Sequence, residues 1–262
     1  LRAIAARMGL QLVGIPMDSA GIAPDALDAA IYLYQPKALY LNPTVQNPTT
    51  LTIPRERRME IAEILLRHKL PLIEDDAYGF IPAAAPIPFA TLAPDLTWHI
   101  GGLAKCLGAG LRLAYTVAPN ARAAYSLAQA IRASAVMPSP ICMALATRWI
   151  EDGTADAIRH FVRTESAFRH KMAIDNLAGL EIRGEPEAFN IWLKLPKGAS
   201  RAELMGRMAG HHVGLMPSDA FTVLGKPDEH VRVCLGGAID REQLRAGLLF
   251  MANSLSDSGW MG

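Results

Sequence analysis

Apolar and polar positions along this chain follow two alternating periods. Short β-rich runs at residues 10–16 (LQLVGIP), 37–42 (KALYLN), 71–76 (PLIEDD), 97–102 and 111–118 (LRLAYTVA) each predict a strand. Between them apolar residues return at helical spacing. From Pro24 the set Leu27, Ala30, Ile31 and Tyr34 shares one face. Pro54 opens a longer amphipathic segment, with Met59, Ala62, Leu65 and Leu66 expected inward and Arg55, Glu56, Arg58 and Glu63 outward. Residues 1–9 read as the tail of a helix, with Leu1, Ile4, Ala5 and Met8 on one face. Strands separated by helical crossovers predict a mainly parallel sheet flanked by helices, with chemistry collected beyond the carboxyl ends of the strands.

The second half changes character. Residues 121–177 are helical in pattern, interrupted by Met137-Pro138-Ser139-Pro140. Residues 180–184, 188–195 (AFNIWLKL) and 231–235 (VRVCL) then predict strands, and residues 200–209 and 240–255 predict helices. The last helix carries an N-terminal signature, Asp240 followed three residues on by Gln243, and an inward face of Leu244, Leu248, Met251 and Leu255. The expected organisation is α/β: a large domain over residues 1–165 and a smaller α+β domain over 166–262. Residue 1 is Leu and the first helix reads as a tail, so a preceding portion of the fold is expected to be missing.

Composition narrows the classes. With 262 residues, 51% hydrophobic and 19% charged, the chain suits one large or two modest globular domains. A formal net charge of +1 with scattered charges offers no nucleic-acid stripe, and no apolar stretch reaches the roughly 18 residues of a membrane span. Cys106, Cys142 and Cys234 are odd in number and lack CxxC spacing, which predicts a reducing, cytoplasmic setting. His211-His212 lacks the accompanying ligands of a metal site, so no metal is expected. The chain contains neither GxSxG nor GxxxxGK[ST], and Gly108-Ala109-Gly110 precedes a strand, the wrong order for a dinucleotide turn.

Three polar segments lie at predicted strand ends: Asn42-Pro43-Thr44-Val45-Gln46-Asn47-Pro48-Thr49-Thr50, Asp75-Asp76-Ala77-Tyr78, and Gly101-Gly102-Leu103-Ala104-Lys105 followed by Gly108, Gly110 and Arg112. Lys105 stands apart from the other lysines because it follows an apolar run among glycines, where backbone can approach a ligand. In this order the segments resemble the fold type I pyridoxal-phosphate enzymes, the class I/II aminotransferases. The runs LYLNPTVQNPTT, IEDDAYG, LAKCLGAGLRLAYTVAP, ATRWIEDGTA and VRVCLGG are similar, more narrowly, to the aminotransferase-like domain of MocR-type GntR-family regulators.

The resemblance implies pyridoxal 5'-phosphate as cofactor and an amino acid or 2-oxo acid as substrate or effector. It assigns Lys105 to the cofactor aldehyde and to proton transfer, and Asp75 to the pyridine nitrogen. Asn47 and Tyr78 become donors to the phenolic oxygen, Arg112 the phosphate ligand, and Arg232, with Asn47, the substrate-carboxylate site. Asp76 is expected to point away from Asp75 by strand alternation. A homodimer is implied, and DNA contact only through a winged helix-turn-helix preceding this chain. Two departures stand out: Gly102-Leu103-Ala104-Lys105 replaces the family's Ser-x-Ser-Lys, and Asn47-Pro48-Thr49-Thr50 replaces Asn-Pro-Thr-Gly, where a branched residue predicts altered loop geometry. Three readings follow from these residues: a transaminase, an effector-sensing module without turnover, or a degenerate scaffold.

Overall fold

The computed structural model describes residues 1–223 and 225–256. The chain divides into two compact units, one comprising Ile15–Gln46 and Leu51–Arg163, the other Leu1–Gly14, Asn47–Thr50 and Thr164 onward. Helix α1 (Arg2–Arg7) opens the second of these, with Ala5 buried and Leu1, Ile4 and Met8 exposed.

The first unit is built on a four-stranded sheet. Strands β1 (Met17–Asp18) and β2 (Gly21–Ile22) form a small hairpin that leads into α2 (Pro24–Tyr34). The sheet then runs β3 (Leu39–Leu41), β4 (Leu72–Asp76), β5 (Thr97–Gly102) and β6 (Ala114–Val117), in that spatial order. β3, β4 and β5 are parallel, and β6 pairs antiparallel with β5. The parallel pairings are made by crossovers containing α3 (Arg55–His68) and α4 (Phe89–Leu92). Leu27, Ile31, Ile61, Leu65 and Phe89 from the helices close a core with Leu39, Leu41 and Leu72. α5 (Ala121–Ala135) and α6 (Pro140–Glu151) also belong to this unit, and α7 (Thr154–Asn176) starts in it and continues, from Thr164, in the other. α6 starts where the Pro-Ser-Pro break predicts, with the Ser139 hydroxyl accepting the Cys142 N–H at 3.4 Å.

Two expectations are corrected here. Residues 10–16 are apolar enough for a strand but pair with no neighbouring strand among the described residues, so the run stays irregular. The inward face of α3 is also rotated by about one residue. Met59 and Leu66 are 44% and 49% exposed, whereas Arg58 is 1% exposed. Its guanidinium donates to the carbonyls of Ile53 (2.9 Å), Pro43 (3.0 Å) and Ile87 (3.1 Å) and to the Thr44 hydroxyl (3.0 Å), so a polar residue takes a core-facing position through its aliphatic stem and fork of donors.

The second unit is α+β. Strands β7 (Glu181–Arg183), β8 (Asn190–Lys194), β9 (Leu215–Pro217) and β10 (His230–Cys234) form an antiparallel sheet ordered β7-β8-β10-β9. Only β9 lacks a counterpart in the sequence pattern. Ile191, Leu193, Val231 and Val233 meet Leu204 of α8 (Arg201–Arg207) and Leu244, Leu248, Met251 and Leu255 of α9 (Arg241–Ser256). Each fully buried aliphatic side chain of this kind contributes roughly 1.5–3 kcal/mol. The α9 signature forms as a reciprocal box: the Gln243 N–H donates to Asp240 Oδ1 at 2.7 Å and the Asp240 N–H to Gln243 Oε1 at 3.1 Å.

Glu165 ties α7 to α9 within this unit. It accepts Arg241 Nη2 at 2.6 Å and Arg169 Nε at 2.7 Å, and these bonds, the Arg241 one first, push its carboxyl down to about 2. A depressed carboxyl stabilises the fold above its unfolded pKa and loses that contribution as pH falls toward its folded value. Glu165→Gln should therefore be less stable than the parent above pH 5, and the difference in urea midpoint should close between pH 4.5 and 2. A gap that persists at pH 2 would contradict this.

Candidate active site

The first unit's sheet separates its side chains by alternation. On one face Leu39 and Leu41, Leu72 and Glu74, and Thr97, His99 and Gly101 are buried. On the other stand Tyr40, Ile73, Asp75, Trp98, Ile100 and Gly102, none fully buried. Because β4 and β5 are parallel, their carboxyl ends lie at the same edge, and Tyr78 and Lys105 follow those ends by two and three residues.

Asp75 is braced there from three directions. The Tyr40 hydroxyl donates to its Oδ2 at 2.5 Å, the Ala77 N–H to its Oδ1 at 3.3 Å, and the Asn42 amide to its backbone carbonyl at 2.7 Å. Register explains the first contact: Tyr40 pairs with Ile73, so it shares a face with Asp75 on the neighbouring strand. Burial and then the Asp75 bond push the Tyr40 phenol up, which keeps it a neutral donor. The Lys105 Nζ lies 5.8 Å from the centre of the Tyr78 ring, so the structure brings amine and phenol together. Lys105 and Arg112 are exposed and form no ion pair among the described residues. Arg112 ends a short 3-10 turn (Ala109–Leu111) in the left-handed conformation, φ 51°. After Tyr78 the turn is clamped by Arg163, which donates to the carbonyls of Phe80, Ile81 and Pro82.

The glycine that replaces the first motif serine has a local cause. A Cβ on Gly102 would lie 3.3 Å from the Ala77 Cα, so the ends of β4 and β5 approach too closely for a side chain without a shift.

Behind Asp75, on the buried face, sit Glu74, Asp76, His99 and Arg58. Glu74 is wholly buried, accepts the N–H groups of Phe89 (2.8 Å) and Ala90 (3.1 Å), and lies 2.9 Å from His99 Nδ1. That contact holds the His99 imidazole above its ordinary pKa. Asp76 lies on this face, its Oδ2 4.0 Å from His99 Nε2, and burial pushes its carboxyl up against the Thr44 hydrogen bond. Glu74 and Asp76 thus face Arg58 and His99 across a largely buried cluster in which acidic and basic groups lie side by side.

The second unit carries the other two candidates together. Arg232 Nη1 donates to Asn47 Oδ1 at 2.6 Å, and its guanidinium lies 5.3 Å from the Phe221 ring centre. Its Nε is buried and lacks an acceptor among the described residues. Val231 and Val233, the alternates of the strand, are buried. Thr50, in the family's glycine position, takes φ 62°, the left-handed region that glycine adopts freely, and its buried hydroxyl accepts the Glu185 N–H at 3.0 Å. The loop thus holds a glycine-type conformation with a branched residue. The sequence pattern gives Tyr40, Asn42 and Arg163 no role at the site. The available signal for Tyr40 is an outward aromatic between two buried leucines, two residues before an Asn-Pro turn.

Among the described residues no helix is long and apolar enough to cross a membrane. The profile of the family described as aminotransferase class I and II matches residues 2–248. A Bacillus subtilis (strain 168) protein named as an uncharacterized HTH-type transcriptional regulator, YdeF, is 29% identical over 259 residues, covering 98% of this chain and 56% of that protein. The 2-aminoadipate transaminase of Thermus thermophilus is 27% identical over 258 residues, covering 94% of this chain and 64% of that protein. The crystal structure of LysN, an α-aminoadipate aminotransferase from Thermus thermophilus complexed with N-(5'-phosphopyridoxyl)-L-leucine, superposes with a TM-score of 0.85 at 25% identity, covering 97% of this chain and 67% of that one.

Proposed function

The chain belongs to the aminotransferase class I and II family, and from that premise we propose that it forms the pyridoxal 5'-phosphate-binding part of a protein that transaminates amino acids with 2-oxo acids. The observation that carries this reading is the grouping of a braced carboxylate, a phenol and an amine without an ion pair among the described residues at one edge of the parallel strands.

That donor set fits the cofactor: Asp75 suits the pyridine nitrogen, Tyr78 the phenolic oxygen, Lys105 the aldehyde, and Arg112 the phosphate. When bound, pyridoxal 5'-phosphate supplies an aldehyde and a ring that accepts the electron pair released at the substrate's α-carbon. The residues of this chain do the rest. The Asp75 carboxylate, oriented by Tyr40 and Ala77, would accept a hydrogen bond from a protonated ring nitrogen. The Tyr78 hydroxyl donates a hydrogen bond. The Lys105 amine, free of any ion pair among the described residues, would take the proton from the substrate α-carbon as a general base and deliver it, as a general acid, to the carbon that was the cofactor's aldehyde. Arg232 presents a guanidinium whose buried Nε has no partner among the described residues, suited to the fork of a carboxylate.

The chain spans 56% of the regulator and 64% of the transaminase that it matches. A second reading draws on the regulator: the same residues detect an amino acid without completing turnover, and DNA contact lies outside residues 1–262. Gly102 and Ala104 weaken the hold on the cofactor in either reading, since each lost hydroxyl removes about 1 kcal/mol of phosphate binding. A homodimer is part of either reading.

An assay of the whole protein with pyridoxal 5'-phosphate, a panel of amino acids and 2-oxoglutarate separates the two. The first reading expects 2-oxo acid release from at least one amino acid. Spectral change on amino-acid addition with no release from any member would leave the sensing reading. No spectral change with cofactor at all would remove both.

A further inference from the structure

We infer that Tyr40 is a positioning residue that holds the Asp75 carboxylate for the cofactor's ring nitrogen, an inference that rests on the function proposed above. A carboxylate at a strand end turns about two side-chain bonds, and an unrestrained one faces water as readily as a ligand. Here Oδ2 is fixed by the Tyr40 hydroxyl at 2.5 Å and the weaker Ala77 contact at 3.3 Å occupies Oδ1. Each carboxylate oxygen accepts more than one hydrogen bond, so the tyrosine bond leaves a lone pair for a pyridinium N–H. The tyrosine is itself placed by strand register, and its neighbours Leu39 and Leu41 are buried on the opposite face. Its phenol stays protonated, so it donates without adding charge beside Asp75. A hydrogen bond to an ionised group is among the stronger ones, and an ordered carboxylate does not have to be ordered on binding.

The opposite role is also physically definite. If the hydroxyl occupied the carboxylate in place of the cofactor nitrogen, binding would have to displace it, and removing it would tighten binding.

The test is a double-mutant cycle in the whole apoprotein, read as the dissociation constant of pyridoxal 5'-phosphate from fluorescence titration rather than as activity. Tyr40→Phe should weaken binding about 10-fold. On an Asp75→Asn background the same substitution should change it less than about 2-fold, because the hydroxyl acts through the carboxylate. An equal effect on both backgrounds assigns Tyr40 a merely structural role and overturns the inference, as does unchanged or tighter binding by Tyr40→Phe. A parent that binds no cofactor overturns the proposed function and this inference together. Tyr40 is 37% exposed and phenylalanine preserves its ring; should that variant not fold, Tyr40→Leu, which also lacks a donor, completes the same cycle.

Discussion

Lys105→Ala should lower transamination by about 10³-fold, within the 10²- to 10⁴-fold range that a positioned general acid–base contributes. The expectation rests on placement. Lys105 follows the carboxyl end of β5 by three residues, lies 5.8 Å from the Tyr78 ring and has no carboxylate partner among the described residues, which suits the role proposed for its amine. Lys171 and Lys194, by contrast, pair with Asp175 and Glu181 at 2.9 and 2.7 Å on exposed surfaces. Lys171→Ala and Lys194→Ala should leave single-turnover rates within about 2-fold of the parent. A Lys105→Ala protein that turned over at the parent's rate would remove the amine from the mechanism.

The largest expected effect on stability lies on the other side of the sheet. Arg58→Met should cost about 3–5 kcal/mol, the penalty for breaking a buried charge cluster by removing one partner. Methionine fills most of the aliphatic volume, so the loss isolates the guanidinium. Three carbonyls and the Thr44 hydroxyl would each lose a donor, although the Pro43 carbonyl keeps the Ile53 N–H, and Glu74 and Asp76 would lose the guanidinium beside them. Burial works against the Arg58 charge, while Glu74 and Asp76 support it. Urea unfolding monitored by circular dichroism measures the change; a loss below about 1 kcal/mol would mean that the cluster relaxes or admits water.

The contrast between Lys105 and Arg58 marks what the sequence makes legible. Strand ends are readable because an apolar run of four to six residues followed by a polar turn has few alternatives, so Asp75, Tyr78 and Lys105 can be placed before any coordinates. α9 is readable to its cap, because Asp240 and Gln243 encode their own hydrogen bonds. Residues 10–16 mislead because a strand is completed by a partner elsewhere in the chain, which a local window does not contain. Arg58 misleads for a related reason: its burial depends on carbonyls of Pro43, Ile53 and Ile87, two of them distant in sequence, and no periodicity of α3 announces them. Tyr40 escapes a local reading because its role follows from the β3–β4 register, a tertiary fact. Local pattern locates the ends of the elements, and long-range pairing decides which side chains are held there.

Cofactor attachment at Lys105 can be read directly as the chemical identity of one modified residue. The whole protein, loaded with pyridoxal 5'-phosphate, is reduced with borohydride, digested and mapped by mass spectrometry. A phosphopyridoxyl group on the peptide containing Lys105, and on no other lysine, is the predicted result. The same group on a different lysine, or a cofactor that washes away unreduced, would contradict it.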